Sequence, residues 1–388
     1  MGHLQLSDYL MSAERGYLSH FDPDTVELPP LLGPAREAAL ALPHTIPTGR
    51  VRSLLGRLPR VDLTEFCADA PLEQRRIAMV HYSFMVQAYV WGEPEPPASL
   101  PSTLAVPIWQ IAASIGQPPL LPYSSYVLDN WGRIDAAGPI DLANVFMIQP
   151  FLGGVDEAWF VLVHVAIEAR AGRMMAAVPS LVEAAADHDS ASLERQLERV
   201  ARDWDAVNAI FDRMPERCDP YVYFHRVRPW IHGWKDNPAL RGGLVYDGVT
   251  EAGPTPQAFR GQTGSQSSIV PAMDAALGIG HAEDPLRSFL DELHHYRPPQ
   301  HRRFIDDVRA ASTVREVAGA GDSGMRERYN LCVRGLARFR TRHLEYAARY
   351  INKQSRAGAG NDPDVGTGGT PFMRYLRKHR DEAERHLL

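Results

Sequence analysis

Two histidines lie in long helical patterns that are otherwise apolar, where an imidazole can act as a metal ligand or as a proton acceptor. His343 stands between Phe339 and Tyr346 in a stripe with steps of three and four residues, which is typical of the inner face of a helix. One inward-facing His of this kind holds the haem iron in globins and peroxidases. A core histidine bonded to a neighbour is the alternative, and this helix alone leaves both open.

His164 is the only polar residue of the run Trp159–Ile167, which predicts a helix buried on every side. An imidazole without a hydrogen-bond partner in such a place costs about 1–3 kcal/mol. We therefore expect His164 to have a specific partner, in a binding pocket or in the core.

An arginine surrounded by aromatic residues forms a third group. Tyr223 and Phe224 precede Arg228, and Pro229 is expected to kink or end the helix there. A guanidinium can bind a carboxylate through two hydrogen bonds, and aromatic side chains can sandwich a flat ring. With the small polar turn Gly261–Ser265, these residues would suit an aromatic amino acid. An ordinary helical core with a few satisfied polar residues is the alternative.

Other motifs point less clearly to chemistry. The GTGGT motif at 366–370 lacks the Lys-Ser/Thr of a phosphate loop, so a flexible lid or a plain linker fits its composition better. His294, His295 and His301 with Glu292 could suggest a metal centre. The HEXXH motif is absent, however, and two prolines separate the third His, so a solvated face is favoured. The sequence also contains no GxSxG nucleophile elbow.

Composition limits the class of protein. The chain has 388 residues, of which 45% are hydrophobic and 23% charged, as in soluble globular proteins large enough to enclose a cofactor. The net charge of −6 argues against nucleic-acid binding. Three widely spaced cysteines and a start without a signal-peptide pattern favour the cytoplasm. The longest apolar run, 158–167, is too short for a membrane span.

Helical patterns dominate, so we predict an all-α fold whose central helix runs from Asp322 to Lys353. The proline-rich segment Gly92–Pro107 is expected to be loop throughout. A composition change near Gln149 predicts a smaller N-terminal domain over 1–148, covering the pocket, and a larger helical domain over 149–388. The Gly-rich segment 357–371 is predicted to be a mobile loop.

The sequence resembles the indoleamine 2,3-dioxygenase family in many ordered blocks from residue 88 onward. These blocks are AYVWG (88–92), LAVPIWQ (104–110), YVLDNW (126–131), GWKDNPAL (233–240), GGLVYDG (242–248), QSS (266–268), YRPPQHRRF (296–304), RFRTRHL (338–344) and GTGGT (366–370). The resemblance implies a two-domain, all-α haem-binding fold, and it leaves the first 60 or so residues weakly covered.

The resemblance also implies roles for single residues. His343 matches the proximal ligand of haem b iron, and Arg340 and Asp274 match a pair that orients a haem propionate. Arg228 matches the anchor for the substrate carboxylate. The other residues carried over form the pocket wall, the turn over the haem edge and the mobile loop: Tyr223, Phe224, Tyr123, Val127, Thr263, Gly264 and Thr367.

Two departures from the family pattern bear on the substrate. His164 stands where the animal enzymes carry a small Ser, and the related tryptophan 2,3-dioxygenases use a His there to bind the indole N–H. Tyr126 replaces a smaller pocket residue, so a tighter cavity is expected. A rearrangement enzyme of pyrrolnitrin synthesis resembles the same scaffold, so the fold does not by itself determine the reaction.

The resemblance implies a dioxygenase that opens the C2–C3 bond of L-tryptophan, or of a close indole, to give N-formylkynurenine. The alternatives are a haem monooxygenase or rearrangement enzyme of secondary metabolism, or a non-catalytic haem or indole sensor. The expected partners are the small-molecule substrate and O2, without nucleic acid or membrane. The protein is expected to be a monomer or a simple homo-oligomer.

Overall fold

The computed structural model describes residues 4–354, 366–368 and 372–388, and helices dominate them. In the first part of the chain the α-helices are α1 (Gly33–Leu40), α2 (Leu42–Thr45), α3 (Val51–Leu55), α4 (Thr64–Asp69), α5 (Leu72–Trp91) and α6 (Ser102–Ile115). The later helices are α7 (Val155–Met175), α8 (Val178–Ala186), α9 (Ser190–Phe211), α10 (Pro220–Val222), α11 (Ile269–Ala276), α12 (Pro285–His294), α13 (Pro299–Ala311), α14 (Val314–Ala320), α15 (Ser323–Ala347) and α16 (Phe372–Glu384).

Strands are few and short among the described residues. β1 (Ser99–Leu100) pairs in parallel with β4 (Val245–Tyr246), and β2 (Gly132–Arg133) pairs antiparallel with β3 (Val145–Phe146). The predicted all-α fold class is therefore confirmed. None of the described helices combines the length and apolar character needed to cross a bilayer.

The predicted central helix is present as α15, continued by a π-helical turn at Ala348–Asn352. The carboxylate of Asp322 accepts a hydrogen bond from the Met325 N–H at 2.8 Å and caps the start of the helix. One face, which includes Tyr329 and Leu336, is buried, and the helix packs mainly against α9 and α16. This packing holds the His343 turn of the helix in the interior.

Helix α7 lies between the two apolar cores of the molecule, which explains why its sequence is apolar on every side. Val161 and Val165 belong to the first core, which is built mainly from residues 18–151 and 230–249. Val163 and Ile167 belong to the second core, which α8, α9, α11, α13 and α15 complete. A helix between two cores has no solvent face, so His164 is held inside the protein.

The two cores do not follow the predicted division at residue 148 strictly. Trp234 and Tyr246 pack in the first core, whereas Tyr9 and Tyr17 pack in the second. The division into 1–148 and 149–388 stays a prediction. Most of the predicted mobile loop, at 357–365 and 369–371, lies outside the described residues.

The prediction that Gly92–Pro107 is loop throughout was wrong for its second half. Ser99 and Leu100 form β1, and α6 begins at Ser102 with Pro107 inside it. A proline within a helix removes a backbone hydrogen bond. Here Leu104, Ile108 and Ile111 are fully buried, and that apolar burial offsets the lost bond.

Candidate functional site

Helices α7 and α15 bring His164 and His343 together, although the two residues are far apart in the sequence. Both imidazoles line a cavity of about 360 Å³ and an adjoining cavity of about 130 Å³. The larger volume falls within the range of cofactor and small-molecule sites in proteins. The two histidines that the sequence singled out therefore face one internal space.

His343 has a nitrogen available for a ligand. Within the described residues neither ring nitrogen has a hydrogen-bond partner, and the imidazole packs 6.4 Å from the ring of Phe211. Burial, together with the nearby His164, lowers the pKa of His343 to about 4. The ring is therefore neutral at neutral pH and keeps a lone pair, as metal coordination requires.

His164 is hydrogen-bonded to the backbone and also faces the cavity. Its Nδ1 lies 2.7 Å from the carbonyl oxygen of Phe160, one turn earlier in α7. A carbonyl can only accept, so Nδ1 carries the proton and Nε2 of the neutral ring is an acceptor. Burial lowers the pKa of His164, which favours this neutral form. His164 is therefore bonded to the backbone and also lines both cavities.

A buried ion pair forms another part of the cavity wall. Arg340, one turn before His343, donates from Nη2 to Oδ2 of Asp274 at 2.6 Å, and both residues line the larger cavity. Desolvation opposes ionisation of Asp274, but the charge of Arg340 and the hydrogen bond from His281 outweigh it and lower the pKa of this carboxyl. Nη1 of Arg340 and Oδ1 of Asp274 are buried without a hydrogen-bond partner among the described residues. A bound group with polar oxygens could satisfy the guanidinium.

The small polar turn closes the space beside His343. Gly264 has no side chain, and a Cβ at this position would stand 4.0 Å from Nε2 of His343. Thr263 accepts a hydrogen bond from the Ser265 N–H at 3.4 Å and caps the 3-10 turn that follows. Thr367, in the described part of the GTGGT motif, donates to the carbonyl of Gln262 at 2.6 Å. The turn and this loop segment therefore meet at the smaller cavity, which both line.

The aromatic and arginine group lies next to this space. Tyr223 lines the smaller cavity and packs 4.7 Å from the ring of Phe160. The guanidinium of Arg228 stands 5.4 Å over the ring of Phe224, and both side chains are fully buried. The helix changes to a π turn at Tyr223–Val227 and to a 3-10 turn at Arg228, as the position of Pro229 predicts.

Four of the predicted site residues do not line either cavity. Arg228 and Phe224 are two of them, and Tyr126 and Val127 are the others. Tyr126 is fully buried against the rings of Phe84 and Phe151, at 5.9 and 6.5 Å. Tyr126 therefore packs in the first core, one layer behind the cavities, and its hydroxyl has no hydrogen-bond partner among the described residues.

A buried carboxyl group near His164 was missed in the sequence. Glu168 lies one turn after His164 and accepts hydrogen bonds from Tyr123 Oη at 2.9 Å and from Ser267 Oγ at 2.7 Å. Burial raises the pKa of Glu168 to about 7, although the two hydrogen bonds act to lower it. Its i, i+4 spacing from His164 was the available signal. The carboxyl group positions Tyr123, which lines the larger cavity.

The histidines considered as a separate metal centre are not brought together with Glu292. His294 pairs with Asp306 at 3.2 Å, whereas Glu292 pairs with Lys235 and Arg260, each at 2.7 Å. His301 is buried, contrary to the solvated face that was favoured, and packs 4.8 Å from the ring of Tyr17. Pro299 starts a new helix that carries His301 into the second core.

Comparison with known families matches the sequence of this chain to one of them. The family model described as Indoleamine 2,3-dioxygenase matches residues 5–386, which is almost the whole chain. The chain belongs to the indoleamine 2,3-dioxygenase family. Indoleamine 2,3-dioxygenase 1 of Rattus norvegicus is 35% identical over 376 residues, covering 93% of this chain and 91% of the rat protein. Indoleamine 2,3-dioxygenase 2 of Mus musculus is 32% identical, covering 99% of this chain and 96% of the mouse protein.

A more distant relative carries a different name. The myoglobin of Haliotis diversicolor is 26% identical over 392 residues, covering 99% of this chain and 99% of that protein. A protein named myoglobin is thus similar to this chain along almost its whole length. Fold and family alone do not determine the detailed reaction.

Members of this family are haem-dependent oxidoreductases, and haem b is the cofactor of this chain. The residues present fit that group. His343 offers an unbonded imidazole in the cavity, and Arg340 has a buried, unpartnered nitrogen where an acidic substituent could bind. Gly264 keeps the space beside Nε2 of His343 open.

Proposed function

We propose that this member of the indoleamine 2,3-dioxygenase family cleaves the C2–C3 bond of the indole ring of L-tryptophan, or of a close derivative. Both atoms of O2 enter the product, N-formylkynurenine. The observation that carries the proposal is the pair of neutral imidazoles in one cavity, one free to bind a metal and one presenting an acceptor nitrogen.

In this proposal His343 is the proximal ligand of haem iron, and Arg340 with Asp274 binds a propionate. Bound haem supplies the activation of O2, chemistry that no side chain in the cavity provides. Helix α15 carries both His343 and Arg340 one turn apart, so a single rigid element sets the position of the cofactor. The protein then contributes positioning and the exclusion of water.

The substrate is held by the remaining residues of the site. Nε2 of His164 accepts the indole N–H, while the rings of Tyr223 and Phe224 align the indole. Arg228 binds the carboxylate through two charge-assisted hydrogen bonds. Tyr123 belongs to the wall around the indole, and Tyr126 and Val127 support that wall from the first core. Thr263, Gly264 and Thr367 close over the bound substrate.

The domain division, the compartment and the assembly are part of the same proposal. Residues 1–148 form a smaller domain that covers the distal side, and 149–388 form the haem-binding domain. We propose a cytoplasmic protein, because all three cysteines are free and two of them are buried. For the assembly we propose a monomer or a simple homo-oligomer.

A single-turnover reaction tests the function. The reduced, haem-loaded protein is mixed with L-tryptophan and 18O-labelled O2, and the product is identified by mass spectrometry. Incorporation of two labelled atoms is expected. One labelled atom would indicate a monooxygenase, and an unlabelled isomer would indicate a rearrangement. Reversible O2 binding without any product would indicate an oxygen-binding or sensor protein and would overturn the proposed reaction.

A further inference from the structure

Three metal-ligating side chains meet beside the propionate-binding pair, and the proposed function does not use them. His281, His379 and Glu382 each offer a ligand atom, and these atoms lie within 4.8 Å of one another. It is the one such group found among the described residues. His379 and Glu382 share a face of α16 because they are three residues apart, while His281 lies in the loop between α11 and α12.

The hydrogen bonds of His281 orient one nitrogen toward this group. Its Nε2 lies 3.1 Å from Oδ2 of Asp274, and its Nδ1 lies 2.8 Å from Oε2 of Glu382. A carboxylate that accepts the N–H of one ring nitrogen makes the other nitrogen a well-oriented metal ligand. A divalent cation would displace the proton shared by Nδ1 and Glu382, since metal binding releases protons from its ligands.

His379 supplies the second imidazole of the group. Its Nε2 is buried without a hydrogen-bond partner among the described residues, and its ring lies 5.0 Å from that of His281. An imidazole nitrogen without a hydrogen-bond partner is available as a metal ligand.

Three carboxylate groups, those of Asp274, Asp284 and Glu382, stand in or next to this group of side chains. Glu382 and Asp274 are buried. Lys378 forms an ion pair with Asp284 and also stands 3.3 Å from Oε1 of Glu382. Arg340 is paired with Asp274 at 2.6 Å. Arg340, Lys378 and His281, whose two ring nitrogens both donate to carboxylates, balance these three groups, and a divalent ion would take the place of the Nδ1 proton.

We propose that Nδ1 of His281, one ring nitrogen of His379 and the carboxylate of Glu382 bind a divalent transition metal, zinc above all. Two imidazoles and one carboxylate are a common zinc ligand set, which leaves a fourth position for water. The ion connects α16 to the loop before α12, and through Asp274 and Arg340 to the helix that carries His343. It clamps the C-terminal helix, which directly follows the Gly-rich segment.

Zinc titration of the haem-loaded, full-length protein tests the site. The protein is treated with EDTA, dialysed and titrated with Zn²⁺ by calorimetry, and the zinc content is measured by plasma mass spectrometry. One equivalent of zinc per chain is expected in addition to the haem iron. His379→Gln and Glu382→Gln should each bind zinc at least about tenfold more weakly. His44→Gln, which changes an exposed histidine outside the group, should bind as the wild type does.

The wild type alone also decides the proposal if a variant does not fold. X-ray absorption at the zinc edge should show two imidazole ligands with oxygen completing the coordination. No zinc uptake by the wild type, equal affinity in His379→Gln, or a spectrum without two imidazoles would each overturn the site. None of these results depends on turnover of tryptophan, so the proposed function is tested separately.

Discussion

His343 and His164 line the same cavity, but their hydrogen bonding assigns them different chemistry. His343 has no partner within the described residues, whereas His164 has its Nδ1 bound to the carbonyl of Phe160. An unbonded neutral imidazole is a ready metal ligand, and a ring bonded at Nδ1 presents Nε2 as an acceptor. The following predictions separate these roles.

Removing the imidazole of His343 should remove the proximal ligand. We expect His343→Ala to be purified with little or no haem b, measured by the Soret absorbance per chain. His295→Ala is the control, because that exposed histidine also lines the larger cavity. Full haem content and an unchanged spectrum in His343→Ala would refute the assignment.

His164 should discriminate against a methyl group on the indole nitrogen. The methyl removes the N–H donor and collides with an imidazole that the Phe160 carbonyl holds in place. We expect 1-methyltryptophan to be a very poor substrate. His164→Ser should lower activity on tryptophan moderately and relieve the discrimination. An unchanged ratio of the two kcat/KM values, with only a lower melting temperature, would make His164 a structural residue.

Arg228 should act on the substrate and not on haem binding. Replacing it with Leu removes charge-assisted hydrogen bonds worth roughly 1.5–3 kcal/mol, so kcat/KM for tryptophan should fall at least about tenfold. Arg226→Leu, an exposed position two residues earlier, is the control. Indole analogues without a carboxylate should be insensitive to Arg228→Leu. If kcat/KM for these analogues falls as much as kcat/KM for tryptophan, Arg228 does not anchor the carboxylate.

At the scale of elements, a close backbone contact docks the N-terminal segment on α7. A Cβ on Gly172 would stand 2.6 Å from the Gly16 nitrogen and 2.7 Å from the Ala13 oxygen. Gly16 itself has a φ of +57°, and a Cβ there would meet the carbonyl of Glu168 at 2.3 Å. This contact supports the part of α7 that follows His164.

Filling this contact should loosen the docking. We expect Gly172→Ala to lower the free energy of unfolding by about 1 kcal/mol or more, because backbone atoms cannot move aside as a side chain can. The gain in helix propensity from Gly to Ala opposes this loss and does not cancel it. Gly33→Ala, where a Cβ meets nothing within 4 Å, should leave the melting temperature unchanged or slightly raised. Equal melting temperatures for the two variants would contradict the prediction.

At the scale of the whole molecule, the buried carboxyl group of Glu168 makes stability depend on pH. Its pKa is about 7 in the folded protein, against 4.5 for the ordinary group. The folded state therefore binds this proton more tightly than the unfolded state does. The resulting stabilisation of the folded state is complete below pH 4.5 and is lost as the pH rises to 7. This loss is about 3 kcal/mol.

Glu168→Gln cannot ionise and should lack this dependence. The free energy of unfolding of the wild type, relative to that of Glu168→Gln, should decrease between pH 4.5 and 7 and then level off. Chemical unfolding at a series of pH values from 4.5 to 8.5 measures the difference. A difference that does not change with pH would show that Glu168 is not the titrating group.

The sequence by itself predicted much of the fold and the chemical types at the site. Periodicity indicated α15 with His343 on its buried face and α7 without a solvent face, because a 3.6-residue repeat is local information. It failed at Pro107, where apolar burial contributed by distant residues outweighs a local helix-breaking tendency. Family resemblance, not spacing, assigned the roles of Arg340 and Asp274.

Only the tertiary structure decided which of these residues meet. In the folded protein, Nδ1 of His164 is bonded to the carbonyl of Phe160, and Tyr126 lies in the core behind the cavities. His281 lies next to His379 and Glu382, which follow it by about one hundred residues in the sequence. Such contacts depend on how helices pack across the chain, whereas the sequence pattern records only which face of each helix is apolar. A helix pattern can therefore place a histidine on the inner face, but the packing of the two cores determines what that histidine faces.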